Sequence, residues 1–595
     1  MGNGLFRHTL KKPSLSLEPG PFLTVTLIID GTTHDRKLKR ISPLAHPRWF
    51  CSAPSLEIAA TISEETDEGI LLNAAGTYQN FSTGESPSDC LILPHSNQLL
   101  ISHRYEESIW VFDLKTLELL KRINVGWGQH RLALSPDESH IAILQNHSSS
   151  ALLLSAASFI ETDRISLPHP GDWISFGSSP EVVLVSSRTH QSLHRYEKKS
   201  GAWKHQSIAL GRPVTVMTRD DRGDRVYLAI TGYSSDGPLL QENHFIQDQI
   251  LAFNTHTLSL EKRFITHREQ SKSNETKEEI PWIAGGSPLG IALSIDHLLI
   301  AFAGTNEIWR ISKDLEGPIT RETFSQDELR HPVGIAWLGN DAWVTSSPSM
   351  GAVEIRNPKG STLIHLAKPN RELPQNQLAV RLGENVFYES TRTGRSCQSC
   401  HLHGDSDYCQ HNIGDTEIHP STLSIRGISG TSPYLRQGSY NQIAHLMELL
   451  DFTLGGFVSE NTNRGEHLEA FVESQPLSIN PKHLETINDS TLATIQSGYE
   501  TFNTAKCDDC HVPPAFTHLG KIPATNLFPT FPNPTYSLDT PSLLGVWQSA
   551  PYLYDGRAAS LKSVLSEHNE ANRHGDTQNL SPKEKDDLRV FLEHL

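Results

Sequence analysis

Cysteine is scarce in this chain, which has seven in 595 residues. Small secreted proteins held together by disulfides are cysteine-rich, so this sequence is not a disulfide scaffold. Long apolar runs are also absent, because no stretch of about eighteen residues is apolar enough to span a bilayer. Lys and Arg are fewer than Asp and Glu, 51 against 68, and form no basic stripe. This balance argues against a nucleic-acid partner.

The first twenty residues lack the features of an export signal. They contain basic residues, but neither an apolar core nor a small-residue cleavage site. The length of the chain exceeds that of one ordinary domain and predicts several folding units. We divide the sequence into a tail at 1–20, a β-rich region at 21–375 and two further domains at 376–480 and 481–595.

Similar phrases recur roughly every 42 residues through the β-rich region. They are SPSDCLILP, GQHRLALSP, GDWISFGSS, RPVTVMTRD, SPLGIALSI and HPVGIAWLG. This period fits a four-stranded propeller blade with the phrase as its inner strand, and a strand-rich stretch at 21–80 brings the expected number of blades to about seven. Polar stretches at 233–248 and 266–282 are predicted to be loop insertions. A β-sandwich or two separate β domains is the alternative.

Four of the seven cysteines lie in two copies of one pattern, SCQSCH at 396–401 and CDDCH at 507–511. In Cys-x-x-Cys-His the thiols add to the two vinyl groups of a haem, and the adjacent histidine is placed to bind the iron. We therefore predict two covalently bound c-type haems, held by Cys397, Cys400, His401, Cys507, Cys510 and His511. The sequence does not decide how Cys51, Cys90 and Cys409 are used.

Zinc binding and thiol redox chemistry are the alternatives for the two motifs. The halves of a four-cysteine zinc ribbon are usually about 15–20 residues apart, whereas these motifs are roughly a hundred apart. Zinc also has no need of a histidine directly after both cysteine pairs. A thioredoxin-like pair would lie in a βαβ pattern, and none surrounds these motifs. Segments at 441–450 and 581–595 have helical patterns instead, so the C-terminal third is predicted to be mainly α.

The residues around the motifs resemble a known family. LGENVFYESTRTGRSCQSCH at 382–401 and GYETFNTAKCDDCH at 498–511 resemble the runs before the two haems of bacterial di-haem cytochrome c peroxidases and their MauG-type relatives. TPSLLGVWQSAPYLYDGRAASLKSVL at 540–565 resembles the segment after the second motif, and STLSIRGISGTSPYLRQGS at 421–439 is similar to it. The resemblance covers 376–595, and the strands at 108–126 and 249–264 resemble YVTN-type propeller repeats.

The resemblance implies an oxidoreductase of the EC 1.11.1 type, in which the first haem meets hydrogen peroxide and the second accepts electrons. The implied partners are a small electron-donor protein, either a cytochrome c or a cupredoxin, or an oxidisable protein. A bridging calcium ion is a further expectation. Because c-type haem is attached outside the cytoplasm, we expect a periplasmic, extracellular or cell-surface location, reached by a route that the first residues do not show.

The resemblance also suggests distal residues at each haem. At the second haem the axial ligand falls on His568, with His574 as a nearby competitor. At the first haem His445 stands where the family has a distal glutamate, so it could transfer protons or bind the iron itself. Glu448, on the same predicted helix, is an alternative acid–base group. Arg436 is a candidate partner for a haem propionate or an oxyanion.

Five further residues near the first motif and between the motifs are weaker candidates. Asp407 and His411 could line the first haem pocket. The family places a tryptophan between its haems, and since this chain has none there, Tyr408, Tyr440 or Tyr536 could take its place. A second hypothesis is a non-catalytic electron carrier with two six-coordinate irons and the propeller as a docking platform, whereas in the peroxidase hypothesis the propeller is a docking platform or a pocket cover. A third hypothesis makes the propeller the functional part, which recruits a partner while the haem module is inactive.

Overall fold

The computed structural model describes residues 22–29, 32–39, 49–64, 66–145, 149–232, 247–266, 285–324, 330–366, 372–391, 394–411, 419–450, 463–478, 480–483 and 487–595. The chain divides into two compact units at Ser399, and Pro43–Ser399 makes up most of the larger one. Strands β1 (Phe22–Ile29) and β2 (Thr32–Lys39) pair as an antiparallel hairpin. None of the described helices is long and apolar enough to cross a membrane.

Seven four-stranded antiparallel sheets form a β-propeller, as the repeat period predicted. Strands β3 to β6 of blade 1 are Trp49–Ala53, Ile58–Ser63, Glu68–Asn73 and Tyr78–Ser82. Strands β7 to β10 of blade 2 are Pro87–Leu93, Gln98–His103, Ser108–Asp113 and Leu119–Asn124. Strands β11 to β14 of blade 3 are Gln129–Leu134, His140–Gln145, Ser150–Ser155 and Glu161–Ser166. Strands β15 to β18 of blade 4 are Trp173–Phe176, Val182–Ser187, Ser192–Lys199 and Ala202–Ala209.

The remaining three blades follow the same plan. Strands β19 to β22 of blade 5 are Val214–Arg219, Arg225–Gly232, Gln247–Asn254 and Leu260–Ile265. Strands β23 to β26 of blade 6 are Pro288–Leu293, His297–Phe302, Glu307–Ser312 and Thr320–Thr323. Strands β27 to β30 of blade 7 are Gly334–Leu338, Ala342–Ser347, Ala352–Asn357 and Gly360–His365. Most of the predicted loop insertions, 233–246 and 267–282, lie outside the described residues.

The recurring phrases form the inner strands of the propeller. The first strand of each blade contacts the first strand of the next, and β27 of the last blade contacts β3 of the first. A cluster of buried apolar side chains lies between every two neighbouring blades, including the two at the ends of the chain. Every blade consists of consecutive strands, so the ring closes by packing and not by a shared strand.

Three side chains from the inner strands meet at the centre of the ring. Trp49 of blade 1 and Trp173 of blade 4 make an edge contact with ring centroids 5.5 Å apart, although their blades are not neighbours. The guanidinium of Arg131, from blade 3, lies 4.3 Å and 4.0 Å from these two rings. Its charge is balanced by Asp89 at 3.7 Å. Cation–π contacts and an ion pair therefore hold one charged side chain inside the propeller.

A disulfide joins the first two blades. Cys51 on β3 and Cys90 on β7 are bonded, with their Cα atoms 5.6 Å apart. The structure thereby assigns two of the three cysteines that the sequence left open. Cys409 is buried and forms no disulfide among the described residues.

The segment between the propeller and the first motif packs within the propeller unit. Helix α1 (Gln375–Tyr388) ends with Tyr388, whose ring lies 6.2 Å from that of His331. Ser390 N–H then donates to Gly304 O at 2.9 Å. Ser396, next to the first motif, lies 3.1 Å from Ser287 through their hydroxyl oxygens. The propeller therefore holds the approach to Cys397 in place.

Short helices separated by irregular segments follow, with less helix than the sequence predicted. The helices α2 to α8 are Cys397–Cys400, Leu446–Glu448, Arg464–Ser474, Asp489–Thr504, Ala524–Leu527, Leu561–Leu565 and Pro582–Leu592. Strands β31 (Lys521–Pro523) and β32 (Ser537–Asp539) form a small hairpin. Helix α8 begins at a capping box made by Ser581 and Glu584, as its sequence predicts. It packs against α5, where Phe502, Phe516 and Phe591 form an apolar core.

Two segments of the C-terminal unit have the same backbone. Each has a cis proline followed by a tyrosine, then a leucine and a glycine in the left-handed region, and a β-bridge closes each turn. In the first segment the leucine and glycine are Leu435 and Gly438, and in the second they are Leu553 and Gly556. The two sequences quoted above as similar, at 421–439 and 540–565, therefore share one local fold.

Candidate haem sites

The histidines of both motifs are oriented by backbone carbonyl groups. Nδ1 of His401 donates to Leu423 O at 2.8 Å, and Nδ1 of His511 donates to Phe516 O at 3.1 Å. Because Nδ1 of each ring carries the hydrogen, Nε2 keeps its lone pair. An outer hydrogen bond of this kind commonly orients metal-bound histidines.

The second motif has another imidazole beside its histidine. The ring centroid of His574 lies 6.3 Å from that of His511, with the ring planes at 54°. Two imidazoles on opposite sides of one metal, each bonded at about 2 Å, have centroids about 6 Å apart. Burial, with the neighbouring His574, lowers the pKa of His511 to about 4. Burial also lowers the pKa of His574, so both rings are neutral at pH 7, as metal ligands must be.

His574 has an unsatisfied polar atom in the interior. Its Nδ1 is buried and has no hydrogen-bond partner among the residues that the structure describes, while its backbone N–H donates to Asn569 Oδ1 at 2.7 Å. A buried nitrogen without a partner costs free energy unless a ligand satisfies it. Of the two histidines predicted to compete for the second haem, the structure thus brings His574 next to His511. The backbone N–H of His568 donates to Ser563 O at the end of helix α7.

His518 is a further histidine near the second motif, and the sequence analysis did not select it. Its Nδ1 is also buried, with no hydrogen-bond partner in the described part of the chain, and its electrostatic effect helps lower the pKa of His511. The cysteines of this motif form no disulfide among the described residues. Burial raises the pKa of Cys507 to about 12, so its sulfur is a neutral thiol at pH 7. Cys507, Cys510, His511 and His574 together fit a covalently attached haem with two axial histidines.

The first motif contains a tighter polar cluster. The sulfur of Cys400, an oxygen of Asp407 and a nitrogen of His411 all lie within 4.8 Å of one another. His411 Nε2 and Asp407 Oδ2 are 2.7 Å apart and both side chains are buried. Burial lowers the pKa of His411, but the Cys400 sulfur and Asp407 outweigh it and raise the pKa to about 10. The two residues that followed the first motif in sequence thus form a buried ion pair beside it.

This cluster bears on the zinc alternative. A zinc ribbon would use both cysteine pairs. The structure instead places the Cys400 sulfur beside the carboxylate of Asp407 and the imidazole of His411. Sulfur, oxygen and nitrogen donors of this kind also suit zinc. Covalent haem attachment would convert the Cys400 thiol into a thioether, leaving Asp407 and His411 to pair with each other. The two occupants therefore exclude one another, and metal content distinguishes them.

The predicted distal residues of the first haem lie at the surface. His445 ends a short 3-10 turn that leads into α3, Glu448 ends α3, and both side chains are exposed. Arg436 is held by Ser421, since its Nε donates to Ser421 O at 3.1 Å and its Nη2 to Ser421 Oγ at 2.7 Å. Burial lowers the pKa of Arg436 to about 10. Residues 451–462, which follow α3, lie outside the described part of the chain.

One predicted bridging residue contacts both halves of the C-terminal unit. Tyr408, close to the first motif, donates its hydroxyl hydrogen to Gln548 O at 3.3 Å. Tyr440 takes part in the β-bridge with Tyr434, and Tyr536 is buried in a separate aromatic cluster. Of the three tyrosines, Tyr408 thus joins the segments that follow the two motifs.

Comparisons with known proteins show no family. No family model matches the chain, and no curated protein matches it. Among solved structures, hydrazine synthase of Kuenenia stuttgartiensis matches with a TM-score of 0.42 and 11% identity, over 57% of this chain and 98% of that one. Hsv2 of Kluyvelomyces marxianus matches with a TM-score of 0.36 and 12% identity, over 54% and 97%.

Proposed function

We propose that this protein is a di-haem c-type oxidoreductase that reduces hydrogen peroxide or uses it to oxidise a partner. The observation that carries the proposal is the repeated Cys-x-x-Cys-His motif, with each histidine oriented through Nδ1 by a backbone carbonyl. Bound haem would supply one-electron chemistry at both positions. The chain's own residues would hold each group covalently and fix the ring that faces the iron.

The geometry of the second motif supports a role in electron transfer for the C-terminal haem. If His511 and His574 both bound the iron of a haem held here, they would leave no position open for peroxide. Two imidazole ligands also favour a lower potential than an imidazole and a thioether. Electrons would therefore enter at this haem from a small donor protein, a cytochrome c or a cupredoxin, and pass to the first.

We assign the reaction with peroxide to the first haem for two reasons. The second haem would have a histidine on each side, and the family resemblance places peroxide at the first haem. His445 and Glu448 are exposed and therefore free to exchange protons with solvent or with a bound peroxide. Arg436, which is fixed by Ser421, would bind a propionate or a developing negative charge. Calcium remains part of this proposal as an expectation from the resemblance.

A non-catalytic electron carrier is the second candidate, and the pairing of His511 with His574 favours it equally. It differs only at the first iron, which would then have six protein and haem ligands. The Cys51–Cys90 disulfide supports a location outside the cytoplasm for either candidate, because disulfides persist in oxidising compartments.

The test is to produce the chain in cells that attach c-type haem and to measure haem and zinc per chain. Two haems are expected in the parent protein, and one each in Cys397→Ser/Cys400→Ser and Cys507→Ser/Cys510→Ser, which serve as matched controls. Zinc in place of the first haem would refute the di-haem proposal.

Spectra of the oxidised and half-reduced protein, before and after hydrogen peroxide, then separate the two candidates. A high-spin first haem that reacts with peroxide, and loses the reaction in His445→Ala or Glu448→Ala, identifies a peroxidase-like enzyme. Two low-spin haems that ignore peroxide in both states identify an electron carrier.

A further inference from the structure

Four histidines pack together on blade 4 of the propeller, away from both motifs in sequence. His169 precedes the first strand of this blade, and His190 lies in the turn between its second and third strands. His194 is on the third strand and His205 on the fourth. His194 is buried, His169 is half-buried, and the other two are exposed. The proposed haem chemistry uses none of them.

A hydrogen bond joins the rings of His194 and His205. Nδ1 of His194 lies 2.8 Å from Nε2 of His205, and the two ring planes are 14° apart. One of these nitrogens carries the hydrogen and the other accepts it, because a neutral imidazole has one donor and one acceptor. If both rings were protonated, two N–H groups would face each other and the bond would be lost. The pair therefore accommodates at most one positive charge.

The rings of His169 and His190 form a second pair. They stack with centroids 3.2 Å apart and planes 11° apart. Two imidazolium ions at this separation would repel each other, so the stack also favours no more than one charge. The pairs are neighbours, since the ring centroids of His169 and His194 are 6.4 Å apart. A proton on either pair therefore raises the cost of protonating the other.

No carboxylate among the described residues acts on His169, His190 or His194 to offset the charge that protonation would add. The charged side chains on β14, on β17 and next to β15 and β16 pair with one another instead: Glu161 with Arg164, Asp163 with Lys198, Glu197 with Arg195 and Lys199, and Asp172 with Arg188. Lys204 on β18 adds a positive charge. Tyr196 stacks on His194 and His205, and burial raises its pKa to about 12, so it is neutral.

The pKa values agree with this crowding. Burial, followed by the neighbouring imidazoles, lowers the pKa of His194 to about 4. The pKa values of His169 and His190 are also lowered, first by burial and then by another imidazole. The unfolded chain therefore binds these protons more tightly than the folded blade does. The blade has its full stability above about pH 6.5 and loses it progressively as pH falls towards 4.

We propose that the four histidines make blade 4 an acid-sensitive element of the propeller, whose strands β17 and β18 open when several of these imidazoles are protonated. Strand β18 is the outer strand of the blade and bonds only to β17 in its sheet. Loss of the bond between His194 and His205 therefore acts on the part of the blade with the fewest neighbours. The device does not depend on the haem function, because all four residues belong to one propeller blade.

The test is hydrogen–deuterium exchange of the full-length protein at pH 8 and pH 5, with rates corrected for the intrinsic effect of pH. His194 alone has a pKa of about 4 in the folded blade and about 6.5 in an unfolded chain. These values predict that the opening constant of β17 and β18 rises about 30-fold from pH 8 to pH 5. Strands β9 and β10 of blade 2, which contain no histidine, are the internal reference and should change much less.

Two variants show whether the histidines cause the response. His194→Gln removes the buried imidazole and should reduce the rise to a few-fold. His169→Gln/His205→Gln should reduce the rise about threefold, because it removes two of the three imidazoles that lower the pKa of His194. His256→Gln, which removes an exposed imidazole from the neighbouring blade 5, should leave the rise unchanged. Circular dichroism at pH 8 shows whether each variant is folded.

The proposal is overturned if β17 and β18 of the parent respond to acid no more than β9 and β10 do. It is also overturned if the rise in His169→Gln/His205→Gln is as large as in the parent. Both substitutions in that variant are at rings that reach the surface, so it decides the question even where His194→Gln does not fold.

Discussion

The imidazole of His574 faces that of His511, the histidine of the second motif, with ring centroids 6.3 Å apart. Their residues are far apart along the chain, and a loop fixed by Asn569 brings His574 to this place. The family resemblance suggested His568 as the axial ligand and His574 as its competitor, and the loop brings His574 next to His511. This relationship gives the sharpest test of the haem proposal.

We predict that His574→Ala changes the second haem, whereas His568→Ala does not. Loss of the facing imidazole opens one axial position, so the low-spin absorption and resonance signals of that haem should become high-spin. His574→Met should keep the haem six-coordinate and raise its reduction potential, since thioether sulfur favours ferrous iron. Potentiometric titration measures this. The reverse pattern, with His568→Ala giving the high-spin change, would reassign the ligand.

Asp248 makes the stability of the propeller depend on pH. Burial raises its pKa to about 7 from an ordinary 3.8, although the Ser287 N–H and the Thr231 hydroxyl oppose the shift. The folded state therefore binds this proton more tightly than the unfolded state, and that contribution is lost as pH rises from about 4 through 7. Asp248→Asn should raise the free energy of unfolding at pH 8 by roughly 2–4 kcal/mol.

The measurement for Asp248 is chemical denaturation of parent and variant at pH 5 and pH 8. The difference between the two proteins should shrink at pH 5, where the parent carboxyl is mostly protonated. An equal difference at both pH values would mean that the variant acts through packing and not through ionisation.

Removal of Arg131 should destabilise the propeller strongly. Arg131→Met leaves Asp89 buried without its guanidinium partner, and broken buried pairs typically cost about 3–5 kcal/mol. Arg131→Met/Asp89→Asn should recover part of the loss, because no unpaired charge remains. Arg122→Met is the control, since it removes an exposed arginine that also lies over a tryptophan, Trp110. Its effect should stay below about 1 kcal/mol.

The disulfide should make the stability of the propeller depend on whether a reductant is present. Opening Cys51–Cys90 should lower the free energy of unfolding by about 2–4 kcal/mol, the usual effect of removing such a crosslink. Thermal melts with and without a reductant test this, with Cys51→Ser/Cys90→Ser as a variant that no longer responds. Cys409→Ser should respond to the reductant like the parent. Mass spectrometry after alkylation without reduction should find Cys51 and Cys90 unlabelled.

The propeller was predictable because each blade repeats one local pattern. The phrases that begin near Pro87, Gln129 and Pro288 form innermost strands, and they could be recognised because they recur at the roughly 42-residue period of a four-stranded blade. The central contact among Trp49, Arg131 and Trp173 was not predictable, because it joins residues from three blades. Sequence spacing carries no information on contacts across the ring.

Some of the candidate haem residues could likewise be predicted from the sequence, and others could not. The Cys-x-x-Cys-His spacing identified the four cysteines, His401 and His511 as candidates, because covalent attachment to a haem requires these residues at fixed positions along the chain. The position of His574 depends on the loop beyond α7, whose path no periodicity describes. No sequence motif marks His518. It is recognised in the structure because its buried Nδ1 has no hydrogen-bond partner among the described residues.

Closure of the propeller without a shared strand makes its ring an intramolecular complex of its two ends. Blades 1 and 7 meet through apolar packing, with Ala59 and Leu72 on one side and Val344 and Ile355 on the other. The affinity of this contact is multiplied by the effective concentration that the intervening five blades impose. Because Cys51 ties blade 1 to blade 2, an opening of the oxidised ring at this contact would expose a face of blade 7, while Ser390 and Ser396 keep the approach to the first motif bonded to blade 6.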